Sequence, residues 1–453
     1  MLKRFISAVI AITMVMGMCS CSEQPSGSEP MQPSSQLVQP MPSEPVEPSS
    51  DLGGNTVQLT ADYNFSPAQS SEKNDSDFVN GISEFSVELF KNSVKQDLVS
   101  DAKNTLVSPE SVAFALGMTM NGANGNTLKQ MQDVMCGGVE TDKFNKNMNL
   151  LISNAHNNNT EDSKLNIANS VWVKDRNDLV LNKQFAKNCK EHFNAEMFKA
   201  PFDSSTVAGI NSWVNEKTDK MIPKLIDNFQ GSEIMCLVNC IAFDSKWEKE
   251  YEQEQISENQ KFTNAKNNVV DCTMLCSNED IYVQNNRATG FVKNYKGGKY
   301  AFMAVLPNEG TDIGNYVASM SKDEIANLYE SRTAKYDVIT RLPKFSYDYS
   351  TDLSNTLYKM GIKDAFSDDA DFSKMFDNNS TSISRVIHKT HIELDAKGTK
   401  AAAATAVLMK ENAVAVAGEF KQVILDRPFV YAIMDTTTGL PVFLGTVCDP
   451  GEQ

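Results

Sequence analysis

The sequence predicts an α+β fold built on mainly antiparallel sheets, and three observations carry that expectation. Apolar residues recur at helical spacing where the folded region opens: Phe78, Ile82, Phe85, Leu89 and Phe90 make one stripe, and Val112, Leu116 and Met120 make a second. Runs rich in β-branched residues follow, Ala168 to Val173, Met235 to Phe243, Tyr300 to Leu306 and Ser382 to Leu394, interleaved with helical segments Thr206 to Asn228 and Thr351 to Met360. Neither strict βαβ alternation nor an internal repeat is present, which argues against a doubly wound sheet or a solenoid. With 453 residues, 41% of them apolar, there is material for one large domain or two ordinary ones with a sizeable core.

The N-terminus reads as addressing information. Lys3 and Arg4 precede an apolar run from Phe5 to Met18 that, at ~1.5 Å per helical residue, is too short to span a bilayer comfortably. Residues 1–21 are therefore expected to be a signal peptide. Its end, Met18, Cys19, Ser20, Cys21, resembles a bacterial lipoprotein cleavage box, with Cys21 as the lipidated residue because Ser20 before it is small. An ordinary secretory signal cut nearby is the alternative, so the expected location is the cell surface through a lipid anchor on Cys21, or secretion. From Ser22 to Ser50, seven prolines alternate with serines and four glutamates, without one lysine, arginine or aromatic residue. Such a stretch cannot form a core and is expected to act as a semi-stiff, hydrated tether over 22–76, leaving 77–453 as the folded domain.

Within that domain, Ser108 before Pro109 is a good helix start. Acids outnumber bases 58 to 42, a net charge of -16, which disfavours nucleic acid, anionic lipid surfaces and heparin-type ligands as partners. The nine cysteines include the close pairs Cys236/Cys240 and Cys272/Cys276, but no matching Cys/His set at zinc-finger spacing. Most are expected to be buried small side chains, and no metal site is expected. Four histidines exist, and none sits in a recognisable catalytic setting. His388 and His391, three apart in a strand-like run, should face opposite sides of a sheet, leaving His388 as a hydrogen-bonded structural histidine. No G-x-S-x-G elbow, phosphate loop or H-E-x-x-H occurs, so binding is expected rather than catalysis, with no cofactor.

The most unusual stretch is Asp395 to Phe420. Gly398 and Thr399 lead through Lys400 into Ala401, Ala402, Ala403, Ala404, Thr405, Ala406 and Val407. One reading is a surface alanine-rich helix. The other is a strap able to slide between two strands: with period two, Thr399, Ala401, Ala403, Thr405 and Val407 would face a core and Lys400 would face water. Gly398 would give the backbone freedom to swing at a hinge.

Several separated motifs together resemble the serpin family. Asn104, Ser108, Pro109 and Ser111 are similar to its first shutter motif, and Asn169 lies in a match to the next long strand. Asn211, Trp213, Val214 and Thr218 resemble its N-x-W-V helix, and Asn239, Phe243, Lys246, Trp247 and Glu248 the segment leading into the breach, where insertion begins. Pro343, Lys344 and Phe345, then Gly361, Phe366, Ala370, Asp371 and Phe372, follow the family order. His388 matches the shutter histidine, Gly398 to Thr405 the hinge, and Pro428, Phe429, Phe443, Gly445 and Pro450 the C-terminal strands. The resemblance spans Asp77 to the C-terminus.

It implies a serpin fold: three β-sheets, about eight or nine helices, and an exposed reactive-centre loop above a five-stranded central sheet. It also implies a monomer that inhibits serine proteases through a covalent acyl complex, the cleaved loop inserting into the central sheet, which is an established property of the family. The alternative is a non-inhibitory surface lipoprotein of this fold. Two residues depart from the family pattern. Ala396 stands where glutamate is usual, which removes a salt bridge at the breach, and Lys400 stands where glutamate is common. The family's hinge length puts the cut after Asn412, before Ala413. The loop is roughly five residues longer than usual, so bonds at Val414 and Ala415, as far as Val416, are also candidates. The run Ala413 to Ala417 is small and uncharged, which suits the shallow apolar pocket of an elastase-like protease, whereas a trypsin-like one would need Lys410.

Overall fold

Local chemistry starts the first two helices where the sequence expects them. Helix α1 (Ser76–Ser93) buries Phe78, Ile82, Phe85, Leu89 and Phe90 at 0–1% exposure. Ser108 caps α2 (Pro109–Met120) by accepting from the Ser111 amide, with Pro109 in the first turn. In this computed structural model the described residues are 52, 55–69, 71–95, 99–229, 231, 233–377, 381–399 and 419–452. Cys21, Ala401, Ala402, Ala403, Ala404, Thr405, Asn412, Ala413, Val414 and Ala415 lie outside them.

Among the described residues, the further α-helices are α3 (Gly125–Cys136), α4 (Thr141–Asn158), α5 (Lys183–Phe193), α6 (Ser204–Lys217), α7 (Ile313–Ala318), α8 (Glu324–Glu330) and α9 (Ser354–Met360). The strands in chain order are β1 (Val57–Gln58), β2 (Thr105–Val107), β3 (Ser163–Lys174), β4 (Glu196–Ala200), β5 (Met235–Lys246), β6 (Ile256–Thr263), β7 (Val269–Glu279), β8 (Ile281–Gln284) and β9 (Ala288–Asn294). After them come β10 (Tyr300–Pro307), β11 (Tyr336–Pro343), β12 (Phe345–Asp352), β13 (Ile387–Leu394), β14 (Gly398–Thr399), β15 (Glu419–Ile424), β16 (Phe429–Asp435) and β17 (Pro441–Val447).

They build three sheets. The central sheet runs β1-β4-β3-β5-β14-β13-β12, the back sheet β2-β17-β16-β10-β9-β8, and the small sheet β15-β11-β7-β6. Among the described residues only β3/β4 and β11/β15 pair in parallel. The expected five-stranded central sheet is β4, β3, β5, β13 and β12, to which two-residue strands are added: β1 at the edge and β14 between β5 and β13.

The central sheet is covered on both faces. Val171 and Val173 of β3 join the main core with α1 and α2. Trp172, on the other face, packs 4.5 Å from Phe198 in a second cluster with Ile210, Trp213 and Val214 of α6.

Three expected elements are shorter than the pattern suggests. The helix expected to reach Asn228 stops at Lys217, where Asp219 and Lys220 take positive φ and Asn211 turns back to bond the amides of Leu225 and Ile226. The strand expected from Ser382 begins at Ile387, because the Val386 amide bonds the Ser354 hydroxyl and its carbonyl accepts from Leu353. Thr351 and Asp352 stay in β12, so α9 starts at Ser354. Packing against the body starts upstream of Asp77. Val57 and Gln58 pair with β4, and Asn149 of α4 holds the passing chain, accepting from the Ala68 amide at 2.9 Å and donating to the Ser66 carbonyl at 2.9 Å.

Candidate functional site

The hinge residues Gly398 and Thr399 are already strand-like. Gly398 pairs with Lys246 and Thr399 with Ser245 on β5, while Thr399 also pairs with Leu394 on β13. Among the described residues no ladder joins β5 to β13 directly, so β14 stands as a wedge at one end of the gap. Besides the expected freedom to swing, the fold gives glycine at 398 a reason of its own. A Cβ there would lie 2.1 Å from the Ser245 carbonyl oxygen, so the residue is small because two backbones approach closely.

Aromatic side chains hold this wedge. Trp247, fully buried, donates from its backbone amide to the Lys397 carbonyl at 2.8 Å and from its indole Nε1 to the Asp395 carbonyl at 2.9 Å. Tyr295 stacks on Trp247 at 4.4 Å, and its hydroxyl meets the Thr399 hydroxyl at 2.6 Å. The Tyr251 amide donates to the Ala396 carbonyl at 2.9 Å. Asp395 closes the turn, accepting from the Lys397 and Gly398 amides at 2.8 and 3.2 Å. Trp247 was expected here. Tyr295 and Tyr251 were not, because nothing in their local pattern separates them from ordinary core aromatics.

Farther along the gap, polar side chains bridge α2 to the flanking strands. The Ser108 amide donates to His388 Nε2 at 3.0 Å, so the imidazole is neutral with its proton on Nδ1. Burial pushes the His388 pKa down to about 4. The Ser111 hydroxyl donates to the Asn239 amide oxygen, and Asn239 Nδ2 donates to Asn169 at 2.7 Å. Ser108, Ser111, Asn239 and His388 therefore converge, and His391 faces the opposite side of β13, 2.9 Å from Asp348, as alternation requires. Asn104 does not join them. It ties β2 to the C-terminus, accepting from the Cys448 and Asp449 amides and donating to the Asp449 carbonyl. A cavity of about 150 Å³ lies between β5 and the start of β13, lined among others by Val112, Leu116, Leu237, Asn239 and His388.

The cysteines behave as small apolar residues. Cys136, Cys189, Cys240 and Cys448 are buried, and all seven described thiols are free. Burial pushes the Cys240 thiol up to about 12, which removes it as a nucleophile near neutral pH.

Comparisons with known proteins agree with this architecture. The family model described as serpin (serine protease inhibitor) matches residues 80–450. Mouse (Mus musculus) neuroserpin is 27% identical over 384 residues, covering 82% of this chain and 91% of its own. The native-state crystal structure of the thermophilic serpin tengpin superposes with a TM-score of 0.79 at 37% identity, covering 87% of this chain and 99% of its own. Thyroxine-binding globulin in complex with thyroxine is similar at 27% identity and a TM-score of 0.69, covering 83% and 99%. The match spans nearly all of the folded part, with the gap, wedge and shutter in family order, and this chain belongs to the serpin family.

Proposed function

We propose that this chain is a suicide-substrate inhibitor of serine proteases, acting by cleavage of the strap between Thr399 and Glu419 and insertion of the freed strand between β5 and β13. The observation that carries the reading is β14: just ahead of the strap, Gly398 pairs with β5 and Thr399 with both flanking strands. Continuing that register sets Ala401 opposite Phe243 and Ile392, Ala403 opposite Ile241 and Thr390, and Thr405 opposite Asn239 and His388. Phe243, Ile241, Ile392, Thr390 and His388 are all buried, so only small inner-face residues fit among them, and the sequence supplies them.

The chemistry balances as an interrupted hydrolysis. The protease serine Oγ bonds to the carbonyl carbon of the scissile residue, the peptide C–N bond breaks, and the new amine leaves on the β15 side. An ester then links the protease to the end of the strap. At about 3.3 Å per residue, some fifteen inserted residues carry the attached protease on the order of 50 Å. Distortion of its site on arrival prevents water from cleaving the ester.

The target is an elastase-like protease, supported by the uncharged run from Ala413 to Ala417, with the cut between Asn412 and Val416. The inhibitor acts as a monomer, held at the cell surface through lipid on Cys21 or released by secretion. Incubation with elastase-like and trypsin-like enzymes, followed by denaturing gels and mass spectrometry of the released C-terminal fragment, tests this. A denaturation-resistant complex and a fragment starting between Ala413 and Val416 are expected. A fragment starting at Glu411 removes the elastase assignment. Clean cleavage with no complex from any serine protease leaves the non-inhibitory reading.

A further inference from the structure

One buried ion pair sits directly behind the wedge. Lys293 on β9 and Glu279 at the end of β7 are 2.7 Å apart, with side-chain exposures of 4% and 9%. The Lys293 ammonium lies 4.4 Å from the Tyr251 ring centre and 5.6 Å from that of Trp247. Glu279 accepts in turn from the Ser277 hydroxyl at 2.5 Å, and Ser277 meets Thr340 of β11 at 3.0 Å. The pair thus joins the back sheet to the small sheet and presses a cation onto the two residues whose amides hold Ala396 and Lys397.

Packing alone does not call for a lysine here. Ala288, Gly290, Phe291 and Val292 of the same strand are buried, and an apolar side chain at 293 would avoid the desolvation of two charges. What the ammonium supplies is an attraction to aromatic faces, fixing where Trp247 and Tyr251 stand. At the neighbouring hinge position, Ala396 offers no side-chain carboxylate with which the hinge could anchor itself.

We propose that Lys293 and Glu279 are positioning residues for strap insertion: by fixing Trp247 and Tyr251 they keep the wedge seated, so that strand addition after cleavage starts from a formed first rung. The proposal rests on the insertion reading given above. It makes a directional claim. Loss of the pair unseats the wedge and slows insertion, whereas mere destabilisation of the uncleaved fold would speed its conversion.

The test uses the full folded chain as wild type, Lys293→Met, Glu279→Gln, and the double variant Lys293→Met/Glu279→Leu, which leaves no lone buried charge. The strap is cut by a metalloprotease that forms no acyl-enzyme, and insertion is followed by the gain of heat resistance and by tryptophan emission. Each variant is expected to insert about tenfold more slowly than wild type and, when a serine protease replaces the metalloprotease, to release more cleaved inhibitor per trapped enzyme. Insertion at the wild-type rate or faster in the single variants overturns the proposal. So does a double variant that recovers the wild-type rate, since the single effects would then report only an unpaired charge. If the cut wild-type chain itself never inserts, the insertion reading fails instead, so the two failures are told apart. The Glu324→Gln variant, which breaks the Arg287–Glu324 pair elsewhere in the fold, serves as control and is expected to insert at the wild-type rate.

Discussion

His388 links a single proton to the gap in the central sheet. Its Nε2 must stay unprotonated to accept from the Ser108 amide, and burial holds its pKa at about 4. An unfolded histidine titrates near 6.5, so between those values the unfolded chain binds the proton and the folded chain does not. Stability is fully present above pH ~6.5 and falls as the pH drops toward ~4, by ~3 kcal/mol in all. Urea unfolding at pH 7.5 and pH 5 is expected to show about 2 kcal/mol of this loss in the wild type and little of it in His388→Gln, which keeps an acceptor. An equal loss in both would mean that other groups carry it. Glu110 works in the opposite sense. Burial, helped by the charge of Asp435, pushes its carboxyl up to about 8, so its contribution is present below ~4.5 and lost as the pH rises toward 8. Glu110→Gln is therefore expected to exceed wild-type stability at pH 8.5 by ~1–4 kcal/mol and to match it at pH 4. The opposite facing of His388 and His391 was legible from strand periodicity alone. The pairing of Lys293 with Glu279 was not, because the two lie on different sheets and no local pattern connects them.

Among elements, boundaries set by bonds within one turn were easier to read than boundaries set by tertiary bonds. Ser108 and Pro109 fix the start of α2 through bonds within one turn, which sequence displays directly. The end of α6 depends on Asn211 reaching forward to Leu225 and Ile226, and the late start of β13 on Ser354 and Leu353. Both are tertiary bonds that outweigh local propensity. The strap lies outside the described residues, and its two readings, an alanine-rich helix from composition and an inserting strand from period two, make different predictions. On the proposed insertion, the register continued from Thr399 would set residue 403 against buried Ile241 and Thr390. Ala403→Arg would press a long charged side chain into that face. The expected result is a chain cleaved at the wild-type rate that no longer retains the protease, seen on gels as cleaved inhibitor without complex. Complex formation at the wild-type yield would exclude insertion in this register.

At the scale of the molecule, the topology was not readable from local patterns. The back sheet joins Thr105 of β2 to Thr446 of β17, and the central sheet draws β4, β5 and β13 together from separate parts of the chain. Only the resemblance, carried by motifs scattered from Asn104 to Pro450, foretold those pairings. Among the described residues β5 and β13 are bridged by just the two of β14, and on the proposed mechanism this gap would give the uncleaved fold a reserve of free energy. Ten or so new ladder hydrogen bonds, at about 1 kcal/mol net each, would release on the order of 10 kcal/mol when the strap enters. With an unfolding entropy of ~2.1 cal/mol/K per residue over roughly 400 residues, that corresponds to a rise in Tm on the order of 10 °C. Calorimetry of the chain before and after strap cleavage is expected to show at least that increase, with the fragments staying together. Most proteins nicked in a surface loop lose stability, because the cut ends gain freedom in the unfolded state. An unchanged or lower Tm after the cut would therefore place this chain among them and end the case for a metastable native fold.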